Sequence, residues 1–478
     1  VQEISIQLSI QTTSCTVLNV GFNCSLIQAL CGKLLSLVRG FVQSVGMPNA
    51  SAILRYNPEG NIHMTQEVVA VHTPFSSLSD TLVWLCETPA PVAVQEHSRY
   101  LFLDTLGCYL SGITHPEVTR VIDVMGEVEP GPVRLPGIKK GLSVSAAAYV
   151  FAMAACWDEA CEGLARAHGR PGVATLAAAL AVGLQRGRTI GDLLGSLTLG
   201  YEVAGRLGEV MRIRPGMHVD ATFPSFGAAA AVAAMLGLEA SKINQSIQTA
   251  AIQMPCSLYL PIRVGSNSRN TFLAHAAVLG IQSALVVYAG VAPPQDALEA
   301  AYEIALGRSI QDSTKSLEPK GTWLIQEGYF KPYAAVRHVH YGAAAAALLR
   351  EQWLGRADWD SYELEIYEEA TVYCGNRNPE STIQAQFSLS WGVAAMLVLG
   401  DLGPLAFSQQ ALANSEIRRI EGLLKISPVT ALGANGKRAA RLRITSKEDR
   451  LLKEVDAVKG DLANPMLPED LVPKFIRY

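Results

Sequence analysis

The chain has 478 residues, 49% of them hydrophobic and only 17% charged, with 39 Lys and Arg against 43 Asp and Glu for a formal net charge of −4. This balance carries no polyelectrolyte signature, so nucleic acid is not an expected partner, and the apolar content supports a large dry core rather than disorder. The nine cysteines fall at irregular positions, with no C-x-x-C pair and no matching histidine spacing; they read as reduced, mostly buried thiols, and no metal site is expected.

In chain order, residues 1–63 come first, rich in Ser, Asn, Thr and Cys and unlike the rest of the chain. Within them residues 12–46 are apolar in patches, but Lys33 and Arg39 interrupt the run before it reaches the ~18 residues of a membrane span. The basic start and small-residue cleavage site of a signal peptide are both missing. Met64 reads as the natural start of the folded part, with 1–63 as an atypical extension. A cytoplasmic location is expected, with organellar targeting left open by this N-terminus, and no membrane partner.

Residues 75–112 give two helices separated by "TPAP", and a loop dense in Gly and Pro comes after them at 126–137. Ala-rich helical segments come next at 143–156, 173–184, 190–209, 226–238, 239–253 and 271–289. Their Gly, Ala and Ser content permits close approach of backbones. Residues 64–328 therefore form a packed helical domain.

After residue 328 the texture changes. "SYELEIYEEATVYCG" (361–375) alternates with a period of two and reads as a strand, and "RLRITSKEDR" (441–450) as another, with helical patches such as "AQFSLSWGVAAMLVLG" between them. Residues 329–459 are thus a smaller α+β module, and 460–478 return to the helical domain. The expected fold class is mainly α: a large Ala/Gly-rich all-helical domain plus a smaller α+β lid domain.

One stretch concentrates titratable groups. "WDEACEGLARAHGRPG" (157–172) comes directly after a buried-type helix and brings three carboxylates, two arginines and a histidine within a few turns. Were the helix to continue, Asp158 and Glu162 would share a face at a cost of ~0.2–0.5 kcal/mol when exposed. Glu162 and Arg166 have the favourable i,i+4 order, so a plain surface ion pair is the bland reading. Glu159 and Arg166 are read as scaffolding, and Glu162 is evenly balanced. The Gly-containing "RVGSNSRN" (263–270) lacks P-loop spacing but suits an anion held by amides and Arg269. His63, His72, His97, His115 and His275 have no such setting and are read as structural or solvated.

Four segments carry a family resemblance: "LFLDTLGCYLSG" (101–112), "HVDATFPSFGAAAAVAAMLGL" (218–238), "KPYAAVRHVH" (331–340) and "AQFSLSWGVA" (385–394). In this order they resemble the MmgE/PrpD family, which includes 2-methylcitrate dehydratase, cis-aconitate decarboxylase and iminodisuccinate epimerase. The resemblance spans residues 64–475. It implies a helical domain with an α+β lid, a homodimer, an active site in the cleft between the two domains, and no metal or organic cofactor.

The resemblance also implies roles. Asp158, Glu162 and His168 match the family's acid/base loop, and His218 matches a second catalytic histidine. Arg269 falls at the family's cleft lysine, and Arg337, His338 and His340 fall in its lid histidine region. Trp391 stands where a Tyr is usual, and Val219 where a Pro is common. With Lys331 as a further anchor, the catalytic set is Asp158, His168, His218, Glu162 and His340. The substrate-binding set is Arg269, Lys331, Arg337, His338 and Trp391. An Arg in place of Lys keeps the charge but gives up its proton far less readily. The family's final helical tail has no counterpart in this sequence, an absence expected to loosen the helical domain or expose its dimer face.

The chemistry so implied moves a proton beside a carboxylate while water or carbon dioxide leaves, which calls for histidine and for cations that hold enolate-like charge. The leading expectation is a cofactor-independent lyase, decarboxylase or dehydratase, for a small or alkyl-substituted polycarboxylic acid, of cis-aconitate decarboxylase type and suited to secondary-metabolite biosynthesis. Two alternatives stand beside it: an isomerase, epimerase or cyclase of a secondary-metabolite pathway using the same cleft, and a non-catalytic family member.

Overall fold

The computed structural model describes residues 73–310 and 317–478, together with the strand segments 5–11, 14–17, 52–56 and 62–65. The chain divides into two compact units, 1–72 and 73–478. The first holds an antiparallel sheet of β1 (Ser5–Gln11), β2 (Ser14–Val17), β3 (Ala52–Tyr56) and β4 (Ile62–Thr65) in the order β2-β1-β3-β4. Met64 lies inside β4, opposite Leu54. Most of the apolar stretch 12–46, and His72, lie outside the described residues.

The second unit is mainly α. The helices that matter for the site are α1 (Val92–Gly112), α2 (Val144–Cys156), α3 (Pro171–Arg186), α4 (Ile190–Val210), α5 (Pro224–Met235), α6 (Ala240–Ala251) and α7 (Phe272–Tyr288). Helix α5 is the hub, packed by α3, α4, α6 and α7. Its sequence "PSFGAAAAVAAM" has almost no polar face, as a helix enclosed on all sides requires. Small residues set the spacing. A Cβ added to Gly200 of α4 would stand 2.5 Å from the Gly227 carbonyl oxygen, and one on Gly227 would stand 2.6 Å from that of Gly200. Residues 267–288 are long and apolar enough to cross a membrane, but half of that window is buried, and its main part, α7, packs on α2, α3, α5 and α6.

The lid carries helix α8 (Arg337–Leu354) against a four-stranded sheet, with α9 (Leu389–Leu399) packed on α8. Its strands are β5 (Ser361–Ile366), β6 (Leu424–Pro428), β7 (Ala440–Thr445) and β8 (Arg450–Val455), in the order β8-β7-β5-β6. Only β5 and β6 run parallel. The alternation read over 361–375 ends at Ile366: Tyr367 caps a short helix, Glu368–Cys374, whose first turn holds two glutamates, a charge suited to a helix N-terminus. The chain finally returns to the helical domain as α10 (Pro468–Arg477), which lies on α1 and ties Lys474 Nζ to Asp104 Oδ1 at 2.5 Å and to the Ala160 carbonyl at 2.8 Å.

Candidate active site

A cavity of about 420 Å³ opens between the helical domain and the lid. Loop 157–170, between α2 and α3, forms its floor, joined by the turns before α5 and α7; residues 329–338, Glu369, Tyr373, Phe387 and Arg438 close it from the lid. The Tyr259 hydroxyl donates to the Tyr373 carbonyl at 2.8 Å and ties the two sides together. A second tie is the two-residue ladder of Gly163–Leu164 with Gly328–Tyr329. There Gly163 leaves room for the Tyr329 ring, which a Cβ would strike.

Helix α2 stops at Cys156, so Asp158 and Glu162 do not share a helical face. Two residues of the following loop adopt left-handed backbone, Glu159 and His168, each with φ of 54°. That conformation is uncommon for residues with a Cβ and costs about 1–2 kcal/mol. At Glu159 it turns the side chain away from its neighbours and into the cleft.

There Glu159, read from sequence as scaffolding, is the central anion of the floor. It is buried and pairs with Arg170 Nη1 at 3.1 Å, with Lys331 Nζ at 2.7 Å and with Arg269. Asp220 completes the lattice against Arg170, with Arg269 at 3.7 Å. Burial alone would raise the Glu159 pKa, but Arg170, Arg269 and Lys331 overcome it and hold the carboxyl well below its ordinary 4.5. Arg170 is correspondingly held well above its ordinary value, burial being outweighed by Asp220 and Glu159.

His218 stands against this lattice. Its Nδ1 accepts the Asp220 backbone N–H at 3.2 Å, with an Asp220 carboxylate oxygen at 3.6 Å. Burial lowers its pKa to about 4; Asp220 opposes this, while Arg269 and Arg170 add to it. The ring is therefore neutral at pH 7. With Nδ1 occupied as an acceptor, the proton resides on Nε2.

His168 lies on the rim of the cavity and His338 on the lid wall, with the Tyr367 hydroxyl 2.6 Å from His338 Nδ1. Burial lowers His338 to about 3, Arg438 and His168 adding to the effect. Arg337 also lines the cleft, but Asp461 meets its charge, the Lys459 carbonyl accepts from Nη1 at 3.2 Å, and the Tyr329 ring lies 4.9 Å away.

Of the residues singled out from sequence, the structure brings His168, His218, Arg269, Lys331, Arg337 and His338 to one cavity and leaves Asp158, Glu162, His340 and Trp391 outside it. Asp158 accepts from Ser111 Oγ at 2.6 Å and lies 2.8 Å from Nε2 of His115, so the imidazole it holds is neither His168 nor His218. Glu162 points behind the loop, accepting the Gly172 N–H at 2.7 Å. Burial, with Cys161 adding, raises its pKa to about 8. Arg166 pairs with Glu209, Glu318 and Glu327, not with Glu162.

His338 and His340 sit on helix α8, where positions two apart point in opposed directions. His340 is therefore enclosed, with Nε2 3.0 Å from the Ala335 carbonyl. Trp391 is fully buried and donates Nε1–H to the Ala406 carbonyl at 3.1 Å. The sequence pattern gives Glu159 only a scaffolding role and does not single out Arg170 or Asp220. Two have a visible signal: Arg170 directly precedes the Pro that opens α3, and Asp220 lies two positions after His218, just ahead of an all-apolar helix.

The MmgE/PrpD N-terminal domain model matches residues 78–312, and the MmgE/PrpD C-terminal domain model matches residues 333–478. The chain belongs to the MmgE/PrpD family. This family includes dehydratases and decarboxylases, and lyase chemistry such as that of 2-methylcitrate dehydratase is characteristic of it. No curated protein matches the chain. Among the described residues of this MmgE/PrpD member, no group of three His, Cys, Asp or Glu side chains is arranged to hold a metal ion.

Proposed function

We propose that this protein is a cofactor-independent lyase, of dehydratase or decarboxylase type, acting on a carboxylate held at the cleft floor. The observation that carries the reading is the lattice of Glu159, Arg170, Asp220, Arg269 and Lys331 with a neutral His218 against it. Fixed cations and a fixed N–H donor in a water-poor site stabilise charge that develops beside a carboxylate, and each such group is worth roughly 10²–10³ in rate.

In the dehydratase form, the bond from the carbon beside the carboxylate to its hydrogen breaks and the proton passes to His168. The electron pair becomes the new carbon–carbon double bond as the neighbouring C–O bond breaks, and the leaving hydroxide takes that proton back from His168 and departs as water. In the decarboxylase form, the carbon–carbon bond to a carboxylate breaks, carbon dioxide departs, and His168 delivers a proton to the carbon that keeps the electron pair, regaining one from solvent. In both, Nε2–H of His218 donates to the negative charge, as a neutral imidazole whose Nδ1 is occupied is suited to do. Asp158, Glu162, His340 and Trp391 act by holding the loop and lid that position these groups.

The test is to incubate the protein with a series of 3-hydroxy acids and unsaturated acids and follow water or carbon dioxide loss by NMR. Turnover that falls at least 10²-fold in His168→Ala and His218→Ala supports the reading; no turnover with any member, or turnover indifferent to both variants, contradicts it. We further propose that the protein acts as a homodimer in the cytoplasm. The exposed apolar side chains Leu285, Val286 and Tyr288 on α7 and Val291 just beyond it support the dimer, which light scattering on the purified chain would test.

A further inference from the structure

We infer that the cleft selects a substrate with a single carboxylate on an apolar or aromatic body, and that Glu159 sets this preference by supplying an internal carboxylate to cations a polycarboxylate would otherwise occupy. For the reaction this rests on the lyase reading above; for binding it stands on the geometry alone.

Arg170, Arg269 and Lys331 face Glu159 and Asp220, and Arg170 Nη1 also lies 3.3 Å from Cys161 Sγ, a thiol whose pKa is lowered to about 6 chiefly by its hydrogen bond with Cys156, with Arg170 and Lys331 adding. With His218 neutral, the floor keeps at most one positive charge. The lid does not add to it. Arg337 is matched by Asp461, and Arg438 lies 3.4 Å from Glu369.

Arg269 is 2% exposed; its Nη1 donates to Asn270 Oδ1 at 2.9 Å and its Nη2 pairs with Glu159. Its Nε has no partner among the described residues but is itself enclosed, so it adds no contact for a second acid group. A floor whose cations are already held by internal anions has room for one further carboxylate and no more.

The rest of the cavity suits a body without charge. Met217, Val219, Tyr259 and Phe387 line it, and the Phe387 ring lies 5.6 Å from the Arg269 guanidinium. At about 420 Å³ it falls among cavities that take drug-sized molecules, larger than a compact tricarboxylate needs. Two arginines remain at the mouth, where Arg212 donates to the Arg166 carbonyl at 2.9 Å and Arg308 to the carbonyls of Arg212 and Ile213 at 3.4 Å. Arg308 is exposed and Arg212 half-buried, so a second carboxylate there would gain only the small energy of a solvated pair.

The experiment is titration calorimetry on the full chain at pH 7 with 3-phenylpropionate, with benzylsuccinate (the same skeleton bearing one more carboxymethyl group) and with cis-aconitate. The wild type is expected to bind 3-phenylpropionate at least roughly tenfold more tightly than either other acid, given the strength of close charge pairs in buried sites. Glu159→Gln is expected to erase or invert that ratio, and Glu159→Asp, which keeps the charge, to preserve it. Should Glu159→Gln not fold, the wild type and Glu159→Asp decide the matter. Tighter binding of benzylsuccinate or cis-aconitate by the wild type overturns the inference. So does a folded Glu159→Gln with an unchanged ratio, or binding of none of the three acids. Parallel turnover assays separate the two proposals. A monocarboxylate preference with no lyase activity sinks the lyase reading alone, and tight binding and turnover of cis-aconitate sinks only this one.

Discussion

Asp158 and Glu159 are adjacent in sequence, both are buried carboxylates, and they serve opposite sides of one loop. Glu159, turned by its left-handed backbone, faces three cations in the cleft. Asp158 faces backward to Ser111 and His115, in the same rear layer where Glu162 meets the Gly172 amide and Lys474 grips the Ala160 carbonyl. The front layer is charged and lines the cavity. The rear layer is largely buried, and its hydrogen bonds fix the loop. The left-handed backbone of Glu159 lies where the two layers part.

That contrast breaks most sharply at Glu159. Replacing it with Gln leaves three buried cations short of a partner and is expected to cost about 3–5 kcal/mol of stability, against ~1–3 kcal/mol for Asp158→Asn, which weakens hydrogen bonds only; chemical denaturation of both variants measures the difference. Activity should show the same asymmetry. Arg269→Ala is expected to lower kcat/KM by roughly 10²–10³, whereas Trp391→Phe should leave it within a factor of about two and cost ~1 kcal/mol of stability through the lost bond to the Ala406 carbonyl.

The rear layer can be tested through pH. Glu162 has its pKa raised from 4.5 to about 8 by burial, so the folded protein holds a proton that the unfolded chain releases above 4.5. Its contribution to stability is full below pH 4.5 and is lost as pH rises towards 8. Glu162→Gln, which cannot ionise, should remove that decline. Its stability relative to wild type should then rise between pH 5 and 8 by at most about 1.4 kcal/mol per unit. Parallel stability–pH curves for the two proteins would contradict the assignment.

Much of this architecture is legible in the sequence because the Ala-rich helices carry their own signals. Ser143 caps α2 as its residue type suggests, and the Gly and Ala content of α4 and α5 corresponds to backbones in contact. What escapes is direction. Nothing in "WDEACEG" reveals that Glu159 adopts positive φ, and a helical continuation assigns the inward face to Asp158 and Glu162 instead. The sequence pattern overextends the lid strand because Tyr, Glu, Val and Thr alternate across 361–375 without regard to the break at Tyr367. Arg170 escapes notice because its partners Glu159 and Asp220 lie 11 and 50 positions away, a pairing that only the tertiary fold supplies.

The central claim is that the cleft floor moves a proton at the carbon beside a bound carboxylate, and it can be tested without knowing the product. Carboxylic acids of graded size would be incubated with the protein in deuterium oxide and followed by NMR. The account predicts deuterium uptake at the carbon next to the carboxylate of at least one of them, abolished in Arg269→Ala and strongly reduced in His218→Ala. Uptake that persists unchanged in both variants, or no uptake from any acid, would contradict it.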